Sequence, residues 1–152
     1  MSADLHAGEI RDGRHFLPVR VYYEDTDFSG SVYHASYLRF MERGRTDYLR
    51  LLGTDQRALF EQTESAAPGF SFVVRSMHID FFKPARFSDL LEIVTSPQAV
   101  KGASILLKQQ VTREGGVLVE AAVRVAFVSG GRARPIPKPL RLAMRGSRDR
   151  DQ

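Results

Sequence analysis

An α+β domain is expected, built as an antiparallel sheet of five strands wrapped around one long helix. Three observations carry this. Apolar residues recur at steps of three and four through residues 33–52, one strand-like segment precedes that stripe, and four follow it. A length of 152 residues suits one domain, expected over residues 15–145, with a variable leader at 1–14 and a flexible tail at 146–152.

The elements follow in order. Residues 16–23, FLPVRVYY, are β-branched and aromatic and read as a strand. The polar turn EDTDFSGS separates them from the helix. The helical stripe is Tyr33, Tyr37, Phe40, Met41, Gly44, Tyr48, Leu51 and Leu52, with Ser31 as N-cap and Gly53 as C-terminal stop. Gly44 lies on the buried stripe. A mid-helix glycine costs up to about 1 kcal/mol against alanine, so another element must pack very close to it. Residues 54–69 give no clear period. Residues 70–82 form a long apolar run ending at Lys83-Pro84, and residues 90–95 a short strand bounded by Pro97. Residues 103–112 alternate, with Ile105, Leu107 and Val111 on one face. Glu114-Gly115-Gly116 signals a hairpin, and 117–128 alternates again. A single sheet buries one face on a single long helix.

Composition narrows the function classes. The hydrophobic share is 43% and the charged share 26%, ordinary for a globular protein. There is no cysteine, so disulfides and thiolate zinc sites are excluded. The first residues lack the apolar core of a signal peptide, and no apolar run approaches the roughly 20 residues that span a bilayer. A cytoplasmic protein without membrane insertion is expected. The formal charge is +4, and the surplus lies toward the end. From Arg132 onward there are seven Lys or Arg against Asp149 and Asp151. Such a segment attracts anions, or simply keeps the surface solvated. It lacks the interleaved aromatics of a single-strand nucleic-acid binder, so no nucleic-acid partner is expected.

The chemical signal is the segment Tyr22 to His34. It sets Glu24, Asp25 and Asp27 in the turn before a helix start, then Gly30 and a Tyr33-His34 pair. Capping explains one such acid, or two. A calcium loop would need a bidentate Glu at its twelfth position, where Ser36 stands. A hydrolase fits better. A carboxylate acts on water as general base, or attacks a carbonyl itself. A helix N-terminus offers free N–H groups to the developing oxyanion. A glycine at position 30 lets a substrate approach the backbone.

The run Tyr23-Glu24-Asp25-Thr26-Asp27, then Gly30, Val32-Tyr33-His34-Ala35-Ser36-Tyr37-Leu38, then Met41-Glu42-Arg43 and Arg45, resembles the hotdog-fold acyl-CoA thioesterases. It is nearest the Tol–Pal-associated branch and is similar to 4-hydroxybenzoyl-CoA thioesterase. Weaker similarity runs through Phe81-Phe82-Lys83-Pro84 and Arg134-Pro135-Ile136-Pro137. The resemblance implies a hotdog fold and hydrolysis of an acyl-CoA, or of an acyl carrier protein thioester, without metal or cofactor. It implies that Asp27 is the catalytic carboxylate and that the backbone N–H of His34 faces the thioester oxygen. Tyr23, Gly30, Val32, Tyr33 and Lys83 are expected around the substrate. Arg132 and Arg134 are expected on the CoA phosphates, from their charge. The site is expected between two subunits of a homodimer or homotetramer. Phe28 departs from the family, which commonly has a small residue or proline after the catalytic acid. Asp25 is expected to be structural, bonding turn amides. Glu42 and Arg45, three apart, read first as a surface pair, with a place at the active-site rim as the alternative.

Two other classes fit less well. A hotdog dehydratase or hydratase would use a catalytic His in an Asp-x-Asn-Pro-x-His type of motif, which is absent. A non-enzymatic acyl-CoA or anion-binding module would rest on the basic tail alone.

Overall fold

A computed structural model describes residues 6–150, with the last five of these as helical backbone only. Two short strands, β1 (Glu9–Arg11) and β2 (Arg14–Arg20), lead into a 3-10 turn at Tyr23–Asp25. Helices α1 (His34–Asp55) and α2 (Arg57–Ala66) follow. Strands β3 (Ser71–Phe81), β4 (Leu90–Lys101), β5 (Ser104–Arg113), β6 (Gly116–Ser129) and β7 (Arg132–Ala133) precede α3 (Lys138–Arg150). All pairings are antiparallel, in the order β1-β2-β4-β5-β6-β3, with β7 on the end of β6. The five long strands are the five expected; β1 and β7 extend that sheet at two places.

The helix stripe is buried as its period requires: Tyr37, Phe40, Met41, Gly44, Tyr48 and Leu52 face the sheet. Opposite them lie Ile93, Ile105, Leu107, Val111, Val119, Val123 and Phe127. A Cβ placed on Gly44 would stand 2.9 Å from Ile93 Cγ2, 3.1 Å from Thr95 Oγ1 and 3.2 Å from Gln109 Nε2. The glycine is therefore the point at which α1 touches the middle of the sheet. Gln109 is fully buried there, donating to the Met41 carbonyl and to Thr95 Oγ1.

Several boundaries differ from those expected, each for a local reason. The first strand stops at Arg20, because the Asp25 carboxylate takes the Tyr22 N–H at 2.8 Å and folds the chain into the 3-10 turn. Ser31 is not the N-cap of α1. That position falls to Tyr33, and Ser31 instead bridges to Arg86. Gly53 does not end α1. It clears room for α2 to fold back, its missing Cβ lying 3.0 Å from the Phe60 ring. Pro97 does not bound β4, which passes it at an irregularity in its pairing with β5. The Glu114-Gly115 turn behaves as expected, with both residues at positive φ, as a two-residue hairpin turn demands. Within the expected leader, β1 pairs with β2, and His15 Nε2 donates to the Ala7 carbonyl. α3 runs through the start of the expected tail as far as Arg150; Asp151 and Gln152 lie outside the described residues. No described helix is long and apolar enough to cross a membrane.

Candidate active site

Three acids enter the turn before α1, and the structure separates the two that matter. Asp25 is buried, its carboxylate accepting from the Tyr22 N–H and its carbonyl from the Tyr33 N–H at 2.9 Å. It ties the turn to the helix start. Asp27 is exposed. Its Oδ1 accepts from the Ser29 hydroxyl at 2.7 Å and the Ser29 N–H at 2.9 Å. The Ser29 hydroxyl, then the Ser29 N–H, hold its carboxyl below the usual range, so it stays ionised. The Asp-x-Ser spacing that makes this local ring is visible in the sequence.

The turn is a small hairpin. Thr26 bridges Val32, the Asp27 N–H donates to the Ser31 carbonyl, and Gly30 closes the bend at a φ of +85°. That left-handed backbone is one glycine reaches without cost. A Cβ at Gly30 would meet nothing within 4 Å, so the surface there is open to an incoming group. The loop after β3 braces the hairpin: Val32 N–H donates to Ala85 and Phe87 N–H to Gly30. That loop is in turn held by α1, since the Tyr37 hydroxyl accepts from the buried Ala85 N–H at 2.9 Å. Tyr37 was expected only as a core residue, because its long-range partner leaves no local trace.

A cavity of about 260 Å³ opens at the start of α1, lined by Val32, His34, Tyr37, Phe81, Phe82, Lys83 and Pro84. The first N–H groups of α1, beginning with His34, lack intrahelical partners and carry the positive end of the dipole. Val32, His34 and Lys83 line this one cavity, with Asp27 and Gly30 on the hairpin that bridges to Val32. Tyr33 is half-exposed with its ring 4.5 Å from that of His34. Tyr23 is outside the cavity, stacked on Phe87 at 3.9 Å. Phe28 points wholly into solvent.

Arg132 and Arg134 are not at this cavity within one chain. Phe81 pairs with Val119 near one end of β6, and Arg132 pairs with Ser129 at the other. Ten strand residues separate those ends, about 33 Å. Arg134 also donates through Nε to the Ser129 carbonyl at 2.9 Å. Glu42 and Arg45 form no salt bridge among the described residues: Glu42 is exposed, while Arg45 turns inward and donates to Gln109 Oε1 at 2.9 Å, with Glu42 still near enough to attract its charge. Among the described residues no group of three His, Cys, Asp or Glu is close enough to hold a metal ion.

Comparison with known proteins agrees with this geometry. The family model of the thioesterase superfamily matches residues 29–120. The acyl-CoA thioesterase YbgC of Haemophilus influenzae is 46% identical over 129 residues, covering 84% of this chain and 91% of the relative. The acyl-CoA thioester hydrolase YbgC of Escherichia coli is 43% identical over 126 residues, 81% of this chain and 90% of the relative. Among solved structures, a probable thioesterase from Bartonella henselae superposes with a TM-score of 0.65 at 38% identity, covering 82% of this chain and 98% of that one. A Thermus thermophilus thioesterase complexed with coenzyme A and zinc superposes at 0.69 with 25% identity, over 87% and 93% of the two chains. By its match over most of the fold and by these relatives, the chain belongs to the thioesterase superfamily, with the hotdog fold.

Proposed function

We propose that this protein is an acyl-CoA thioesterase, hydrolysing an acyl-CoA to the free acid and CoA with Asp27 as the acting carboxylate. One observation carries the reading: an ionised, exposed Asp27 sits on a hairpin hydrogen-bonded to the start of a 22-residue helix, beside an apolar cavity. The thioester carbonyl points at the His34 N–H, where the helix dipole stabilises the oxyanion. Asp27 draws a proton from water, whose oxygen bonds to the carbonyl carbon, or its own oxygen attacks first and water hydrolyses the mixed anhydride. In either path the C–S bond breaks and CoA leaves as the thiol. The names of the relatives support an acyl-CoA substrate; an acyl carrier protein thioester presents the same reacting group. The chemistry needs no metal, because the helix start takes the role of the Lewis acid. Purified protein should release free thiol from acyl-CoAs, and excess chelator should leave the rate unchanged. Complete loss on chelation would overturn the metal-free mechanism, and no release from short, long or aromatic acyl-CoAs would overturn the hydrolysis itself. The cytoplasmic location belongs to this reading.

The reading includes a homodimer, alone or paired into a tetramer. β3 is an eleven-residue edge strand with Val73, Val74 and Phe81 each more than 40% exposed, and such an edge calls for a partner. Antiparallel pairing of β3 with its own copy along the full strand sets Phe81 beside the partner's Ser71. Ser71 pairs with Val128, and Val128 with Ala133. The partner's Arg132 and Arg134 then flank Ala133 about three strand spacings away, about 14 Å, rather than 33 Å. That is a span a CoA nucleotide arm can bridge. Changing both arginines to Ala should raise KM for an acyl-CoA far more than for a short thioester without the nucleotide. Light scattering should show a species at least twice 17.1 kDa. A monomer at working concentration, or equal KM effects on both substrates, would remove this part of the reading.

A further inference from the structure

Residues 85–89, in the loop between β3 and β4, are anchored from three directions. From α1, the Tyr37 hydroxyl accepts the Ala85 N–H at 2.9 Å, and both residues are buried. From the end of β5, Arg113 Nη1 donates to Asp89 Oδ2 at 2.7 Å, and the same oxygen accepts the Arg86 N–H at 2.9 Å. From the end of β2, Arg20 Nη1 donates to the Ser88 carbonyl at 2.8 Å. The next residue adds two backbone bonds: the Val21 N–H donates to the Asp89 carbonyl, and the Ser88 N–H to the Val21 carbonyl. Between these anchors Ser88 has a φ of +74°, in the left-handed region that favours glycine. A serine persists there only where its surroundings over-determine the backbone.

What this loop holds is the acid hairpin. The Ala85 carbonyl accepts the Val32 N–H at 2.8 Å, Arg86 bridges Ser31, and the Phe87 N–H donates to the Gly30 carbonyl at 3.1 Å. Asp27 stands on the other arm of the hairpin, its N–H on the Ser31 carbonyl. Tyr37 follows His34 by three residues, so the two share one face of α1, about a turn apart. A chain of hydrogen bonds thus runs from the first turn of α1 through Tyr37, Ala85 and Val32 to the hairpin that carries Asp27. A carboxylate and an oxyanion donor cooperate only at a fixed separation. We infer that Tyr37 and Arg113 are positioning residues, which act through residues 85–89 to set where Asp27 stands relative to the His34 N–H. Tyr37 works through Ala85, and Arg113 through Asp89 and Arg86. The inference rests on the hydrolysis reading and adds to it the residues that hold its geometry.

Tyr37→Phe keeps the ring and removes the acceptor; Arg113→Gln removes the charge that holds Asp89. Each should lower kcat for thiol release on the order of tenfold with KM little changed, because a misplacement of about 1 Å can cost about a hundredfold and a loosened hairpin is misplaced part of the time. The acid limb of kcat/KM should stay where it is, since Ser29 sets the Asp27 carboxyl and neither positioning residue touches it. Both variants lose a bond and should melt lower. Gly44→Ala is therefore measured beside them, as a change that loosens α1 about 15 Å along from His34. It should melt lower with kcat unchanged. Amide hydrogen exchange, read well below every melting temperature, follows the tie itself: the Val32 and Phe87 N–H groups should exchange faster in the two positioning variants than in Gly44→Ala. Any of four results overturns the inference: kcat kept in both variants, a fall matched by Gly44→Ala, a change confined to KM, or unaltered exchange at Val32 and Phe87. An unaltered protein that releases no thiol sinks the hydrolysis reading and this role together; an active one whose variants keep kcat sinks this role alone.

Discussion

Asp27→Asn should lower kcat at least about a hundredfold while KM and the melting temperature stay close to the starting values. General base catalysis by a positioned carboxylate is typically worth about 10²- to 10⁴-fold, and nucleophilic attack would be lost as completely. The fold should not notice, because the side chain is exposed and Asn keeps the oxygen that accepts from Ser29. Asp25→Asn is the contrasting change. That carboxylate is buried against the Tyr22 N–H, so weakening it should cost about 0.5–2 kcal/mol of stability, as for a lost cap. Timing thiol release and melting both variants decides between them. A folded but inactive Asp25→Asn beside an active Asp27→Asn would reverse the assignment. The pH profile adds a second reading. Ser29 holds the Asp27 carboxyl below its usual range near 3.9, so the active ionised form persists as pH falls. kcat/KM should be level from about pH 7 to 5 and fall only below about 4, as the proton finally binds. Ser29→Ala should move that acid limb upward.

Gly44→Val should lower stability by about 3 kcal/mol, the upper end of ordinary overpacking costs. For a chain of this length that corresponds to a melting temperature about 6–12 °C lower. The first atom added already meets Ile93, Thr95 and Gln109 at 2.9–3.2 Å. Those neighbours cannot easily withdraw. Gln109 is fixed by bonds to the Met41 carbonyl, Thr95 Oγ1 and Arg45, and Ile93 is fully buried. Alanine at the same place gains about 1 kcal/mol of helix propensity, and the contact should still outweigh it. Thermal and urea melts of the two variants measure this. A Gly44→Val variant as stable as the starting protein would show that α1 does not touch the sheet there.

Local burial accounts for everything that could be read along the chain. Period-two alternation in residues 103–112 and 117–128 placed β5 and β6, and steps of three and four placed α1, because each element hides one face on the same core. The glycine at 44 announced a close contact, and the acid turn with its helix start announced the chemistry, because both lie within a few residues along the chain. Distant partners set the rest, and they meet only once the chain has folded. The loop after β3 braces the acid hairpin through Ala85, Phe87 and Tyr37, contacts made across about fifty residues that leave no periodic trace. The Asp25 carboxylate turned an expected strand end into a 3-10 turn. Arg45 and Glu42 are three apart on one helix, yet one faces Gln109 in the core and the other faces water. Arg132 and Arg134 lie close after β6 in sequence, but the direction of β6 carries them to the opposite end of the sheet from the helix start. Charge is legible in a sequence; which end of a strand it lands on is set by pairing, and pairing is a property of the assembled sheet.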